Sequence, residues 1–141
     1  MQNFLVLAAL LATGGCSHLL NPEGRFSFSA TKPGMNASPP FASVTGVAQR
    51  QIQFAGTITT PTPCYRVSGA GDVTGGHITI TVTATSTLGP NEGCATVIAA
   101  ADYAGAVREL TPGSYRVVVI HTIPKTGWPV QPIADTLVVV P

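Results

Sequence analysis

At 141 residues the chain has room for one domain with a real hydrophobic core. Only 9% of residues are charged, against roughly 25% in an ordinary soluble domain, and 15 Gly with 12 Pro interrupt the chain too often for long helices. Seven Lys/Arg against six Asp/Glu leave a net charge of +1 with no run of either sign, so the sequence lacks the dense basic stretch on which nucleic-acid binding or purely electrostatic binding to anionic lipid draws.

Residues 1–16 read MQNFLVLAALLATGGC. The apolar stretch Phe4–Ala12 has the length of a signal-peptide core and falls well short of the roughly 20 residues that span a bilayer. The small residues Ala12, Thr13, Gly14 and Gly15 lead directly into Cys16. This pattern resembles the lipobox of bacterial lipoproteins. The resemblance implies a signal peptide over 1–15, lipidation of Cys16 and attachment to the membrane through an N-terminal lipid. With Ser17 and not Asp after the cysteine, it also implies sorting to the outer membrane of the cell envelope. The alternative is an ordinary secretory signal cut near Gly14 or Gly15, which leaves Cys16 a plain thiol on a secreted chain.

Residues 16–43 are rich in Pro, Ser and Gly (NPEG, TKPG, NASPPFAS), the composition of an extended tether. Within them, Arg25–Ser29 alternates apolar and polar residues and reads as an edge strand. Residues 44–141 read as an all-β domain of about seven short strands, an Ig-like sandwich. The clearest is His77–Thr87, with Ile78, Ile80, Val82 and Ala84 on one face and Thr79, Thr81, Thr83 and Thr85 on the other. Its expected partners are Gln51–Thr60, Cys64–Ser68, Cys94–Ala101, Tyr103–Val107, Tyr115–Thr122 and Thr136–Val140. Turns are expected at Gly71-Asp72, Thr74-Gly75-Gly76, Gly89-Pro90-Asn91 and Pro112-Gly113.

Three cysteines are an awkward number in an oxidising compartment. With Cys16 lipidated, Cys64 and Cys94 remain as a pair. A disulfide between them closes a loop of about 30 residues, which stabilises a fold by roughly 3–4 kcal/mol.

Leu110-Thr111-Pro112-Gly113-Ser114-Tyr115 is the most informative local motif. It resembles the corner of fibronectin-III-like and transthyretin-like sandwich domains. The resemblance implies that Pro112-Gly113 turns the chain into a late strand and that Leu110 and Tyr115 pack at the corner. The tyrosine hydroxyl would then bond nearby backbone. It implies architecture and no activity.

Residues able to carry chemistry are sparse. Gly69-Ala70-Gly71-Asp72 starts like a dinucleotide loop but lacks the third glycine and a following helix, and reads as a turn. His18 falls in the tether, His77 and His121 at strand ends, with no ligand set that suggests a metal. No nucleophile-elbow sequence accompanies the serines. The carboxylates Glu23, Asp72, Glu92, Asp102, Glu109 and Asp135 are scattered over tether, turns and strand ends. No catalytic residue, metal or cofactor is expected.

Trp128, in the Pro-rich stretch 124–132 before the last strand, is the best candidate for a contact residue. The sequence thus points to a non-enzymatic structural or interaction module of the cell envelope, with an envelope protein or a glycan as partner. The alternatives are a carbohydrate or small-ligand binder using Trp128, and a protease inhibitor presenting the stiff loop Thr60-Pro61-Thr62-Pro63.

Overall fold

The computed structural model describes residues 25–36 and 38–141, so the expected signal peptide over 1–15, Cys16, His18 and Glu23 lie outside the described residues. The described residues form eight strands and no helix: β1 (Arg25–Ala30), β2 (Phe41–Val47), β3 (Gln51–Thr60), β4 (Tyr65–Thr74), β5 (His77–Ser86), β6 (Ala99–Arg108), β7 (Gly113–Thr122) and β8 (Gln131–Val140). They make two four-stranded sheets, ordered β1-β6-β3-β2 and β4-β5-β7-β8. All pairings are antiparallel except β5–β7, which the chain joins by crossing to β6 in the other sheet and back.

The alternation read from the sequence decides which face is buried. Ile78, Ile80, Val82 and Ala84 of β5 are fully buried and meet Ile52, Phe54 and Ile58 of β3 and Val117 and Val119 of β7 in one continuous core. The threonines of β5 stand on the outer face. Two sides of the sandwich stay open to packing between edge strands. β1 lies against β4 along one, and β2 against β8 along the other.

The β1–β4 side explains an unexpected use of glycine. Phe26 and Phe28 point inward from β1 onto Gly71 and Gly69 of β4, where an added Cβ would fall within the rings. The segment read as a turn at Gly71-Asp72 is therefore the end of a ten-residue strand. Glycine serves here for close approach, not chain reversal. Gly105 and Gly56 do the same under Phe54 and Tyr103. Phe26, Phe28, Phe54 and Tyr103 form a row of rings with neighbouring centroids 5.7–6.4 Å apart, which ends edge-on against His121.

Four other sequence expectations change. The edge strand Arg25–Ser29 is present and pairs with β6, so the sandwich begins inside the stretch read as tether. β2 was not anticipated. It follows Pro39-Pro40 and starts before residue 44, pairing with β3 from Phe41 onward. The two strands expected at Cys94–Ala101 and Tyr103–Val107 are one, Ala99–Arg108, because Asp102 does not break it: its carboxylate stays on the outer face and accepts from Thr57 Oγ1 at 2.7 Å. Finally, β8 begins at Gln131, five residues before its expected start, with an irregularity opposite Val119/Ile120 that accommodates Pro132 in an edge strand.

At the β6–β7 corner Leu110 is fully buried. Tyr115 is buried beside it and donates its hydroxyl to the Thr111 carbonyl at 2.6 Å. Gly113 has φ 151°, which a side chain tolerates poorly. Pro112-Gly113 thus carries the chain from one sheet to the other. Arg50 braces the same corner, donating from Nε to the Leu110 carbonyl at 2.8 Å.

Candidate functional site

The strand directions give the sandwich two unlike ends. At the near end, where β1 begins, lie three short connections: 48–50, 75–76 and 109–112. At the far end lie four connections, 31–40, 61–64, 87–98 and 123–130, all but one of them long. Among the described residues, seven of the nine exposed large apolar side chains sit at the far end: Met35, Phe41, Leu88, Val97, Ile98, Trp128 and Val130. The remaining two, Leu137 and Val139, lie on the outer face of β8. Water-facing apolar groups gathered on loops mark an interaction surface more often than scattered ones do.

Cys64 and Cys94 form a disulfide at this end, with an S–S distance of 2.04 Å. It ties the long connection 87–98 to the start of β4. Thr87 adds to the tie, donating from its backbone N–H to the Cys64 carbonyl at 3.0 Å. The loop 61–63 before Cys64 is half-buried and folded on itself, with Thr60 Oγ1 donating to the Thr62 carbonyl at 2.7 Å.

Trp128 sits in the connection 123–130, whose shape is fixed locally. Thr126 Oγ1 donates to the Ile123 carbonyl at 2.7 Å and accepts the Trp128 backbone N–H at 3.1 Å. Lys125 and Gly127 both take left-handed φ. The indole does not fold into the core: Trp128 is 41% exposed and forms one wall of a cleft of about 290 Å³. Ile58, Ile123, Pro40, His121 and Gln131 complete it. The lining is mostly apolar with a few polar groups, the usual make-up of a small-ligand cleft, and its volume is at the low end of that class.

His121 was read as a residue of the strand end, and the structure places it in the core. It is 5% exposed, and its Nε2 lies 2.8 Å from the Tyr103 hydroxyl. Burial pushes its pKa down to about 4 and pushes that of Tyr103 up, so at neutral pH the bond joins a protonated phenol to an uncharged imidazole. His77 lies at the opposite end of the same sheet, paired with Arg116, so the two histidines do not meet.

The carboxylates do not come together either. Asp102 binds Thr57, Asp72 accepts from Thr74 at 3.1 Å, Glu109 pairs with Arg25 at 3.2 Å, and Asp135 with Arg116 at 2.8 Å. The last pair is bidentate and exposed, and each partner holds the other in its charged form. Among the described residues no three His, Cys, Asp or Glu side chains gather in a metal-binding group.

Two arrangements escaped the sequence reading. The Tyr103–His121 pair joins residues 18 apart on different sheets, which no local pattern signals. At the near end, Arg25, Arg50 and Arg108 line a common cleft although they come from three distant segments. Comparison with known proteins gives no match: no family model, no curated protein and no solved structure is significantly similar to the chain.

Proposed function

We propose that the protein is a lipid-anchored module of the cell envelope, held to the outer membrane through Cys16, whose far end contacts a partner without catalysing a reaction. The observation that carries this reading is the inequality of the two ends. The chain enters the sandwich at Arg25, the near end, while the long connections and seven of the nine exposed large apolar side chains, Trp128 among them, lie at the other. An anchor on Cys16 would therefore hold the near end toward the membrane and turn the loop-bearing end outward. The disulfide supports a location outside the cytoplasm, where such bonds persist.

Site-specific photo-crosslinkers at Ile98 and Val130, compared with one at Thr45 on the outer face of the first sheet, test this in intact cells. Discrete adducts from the two far-end positions alone are expected. Equal labelling from all three would remove the far end as the contact surface.

The Trp128 cleft favours a second reading, in which the partner is a carbohydrate or another small ligand. A half-exposed indole beside apolar walls suits the flat face of a sugar ring, and the exposed Gln131 amide adds a hydrogen-bonding group to the same cleft.

A further inference from the structure

We propose that the near end of the sandwich carries an anion site, built by Arg25, Arg50 and Arg108, that takes the phosphate of lipid headgroups. The choice of a membrane phosphate rests on the anchored reading above; the site itself does not.

Three of the chain's seven basic residues converge on one open cleft of about 530 Å³, together with Gln49, Gln51, Gln53 and a single acid, Glu109. The convergence works against stability. Arg25 and Arg108 are direct cross-strand partners on β1 and β6, and like charges placed opposite one another are unfavourable. Glu109 neutralises Arg25 only, across an exposed contact of 3.2 Å, and Arg108 has no ion pair among the described residues. Arg50, which also lines the cleft, is fixed by its Nε bond to the Leu110 carbonyl, and its terminal nitrogens have no hydrogen-bond partner among the described residues.

The backbone carries a second cost at the same place. Four described residues other than glycine have left-handed φ, and three of them line this cleft: Gln49 at 68°, Arg50 at 59° and Glu109 at 59°. Gly, Asn or Asp would occupy such turn positions with less strain. The chain instead places long side chains with hydrogen-bonding or charged ends there. Strain of this kind collects where a side chain is needed for binding.

Guanidinium forks match the oxygens of a phosphate, and the three glutamine amides add neutral donors. The position of the cleft selects the source of that phosphate. Arg25 opens β1 and stands nine positions after Cys16, a reach of at most about 30 Å. An acyl chain on Cys16 would therefore keep the cleft within one domain length of the headgroups. Contact there would fix the orientation of the sandwich, leaving the Trp128 cleft about 25–30 Å away, the length of a ten-residue strand.

The test uses the chain from residue 16 onward with Cys16→Ser. It retains all eight strands and carries no lipid, so the anchor does not contribute to binding. Sedimentation with phosphatidylcholine vesicles is compared with sedimentation with vesicles that also contain phosphatidylglycerol. We expect binding to the anionic vesicles alone, lost as salt is raised. Arg108→Gln should weaken it about fivefold, as one charge near an anionic surface is worth. Arg50→Gln should do likewise, but it also removes the bond to Leu110, so Arg108→Gln is the decisive variant. Glu109→Gln should strengthen binding, a sign that a purely structural role for Glu109 would not produce. Trp128→Ala, at the other end, should leave it unchanged.

Equal binding to both vesicles, no binding, or wild-type binding by Arg108→Gln would overturn the site. Full competition by dilute glycerol phosphate would overturn the membrane as its source. None of these results depends on whether the native chain is acylated, so failure of the anchor and failure of the site are read separately.

Discussion

The hydroxyl of Tyr103 and the Nε2 of His121 stand 2.8 Å apart inside the sandwich, one from each sheet, at the end of a row of aromatic rings. Burial disfavours the charged imidazolium at this position and holds the His121 pKa near 4. The unfolded chain, with an ordinary histidine near 6.5, takes up a proton that the folded one refuses. Stability is therefore fully present above pH 6.5 and falls as pH drops toward 4. The expected loss is about 3 kcal/mol, measurable as a falling denaturation midpoint. His121→Gln keeps an acceptor for Tyr103 and should flatten the slope across that window. An unchanged slope in the variant would assign the pH dependence to carboxylates instead.

Gly69 and Gly71 are needed for what lies above them. Gly69→Ala should destabilise the fold by about 1–3 kcal/mol in a urea titration, because the added Cβ would fall within the Phe28 ring and force it to shift. Combining it with Phe28→Ala should cost less than the sum of the two, since the ring is the clash. Strict additivity in that cycle would mean that β1 does not press on β4.

How much of this was legible in the sequence depended on whether the signal was local. The Thr/apolar alternation of 77–86 and the Leu-Thr-Pro-Gly-Ser-Tyr corner state their geometry within a few residues, and both were read correctly. The pairing of Cys64 with Cys94 followed from counting. The errors at Gly71-Asp72 and at Asp102 share a cause. A glycine and an acid were given their usual local meaning, while a phenylalanine and a threonine, each from 45 residues upstream, gave them another. The arginine cleft and the Tyr103–His121 bond are products of topology alone. Trp128 stood out as a lone tryptophan between prolines; that it walls a cleft beside His121 depended on the β7–β8 register.

The disulfide joins two loops of the far end and leaves the core untouched, so its removal should lower stability without unfolding the protein at room temperature. Cys64→Ser with Cys94→Ser is expected to cost about 3–4 kcal/mol, a melting-temperature drop of roughly 10–20 °C. A shift of only a degree or two would show that the long connection 87–98 is held in place by its other contacts.

Binding in the Trp128 cleft would alter the surroundings of the protein's single tryptophan. Titration with envelope-derived oligosaccharides should shift its fluorescence and saturate. Because the indole is 41% exposed, Trp128→Ala should abolish the response while lowering stability by less than about 1 kcal/mol. Silence across a broad panel of glycans would leave the far-end surface as a protein contact and discard the carbohydrate reading.

The intact mass of the mature protein, taken from a membrane fraction before and after reduction and thiol alkylation, tests the central claim most directly. The account predicts a chain that begins at Cys16, carries added acyl mass, and gains alkyl groups at Cys64 and Cys94 only after reduction. An unlipidated chain cut near Gly15, with Cys16 alkylated without reduction, would contradict it and make the protein a released domain.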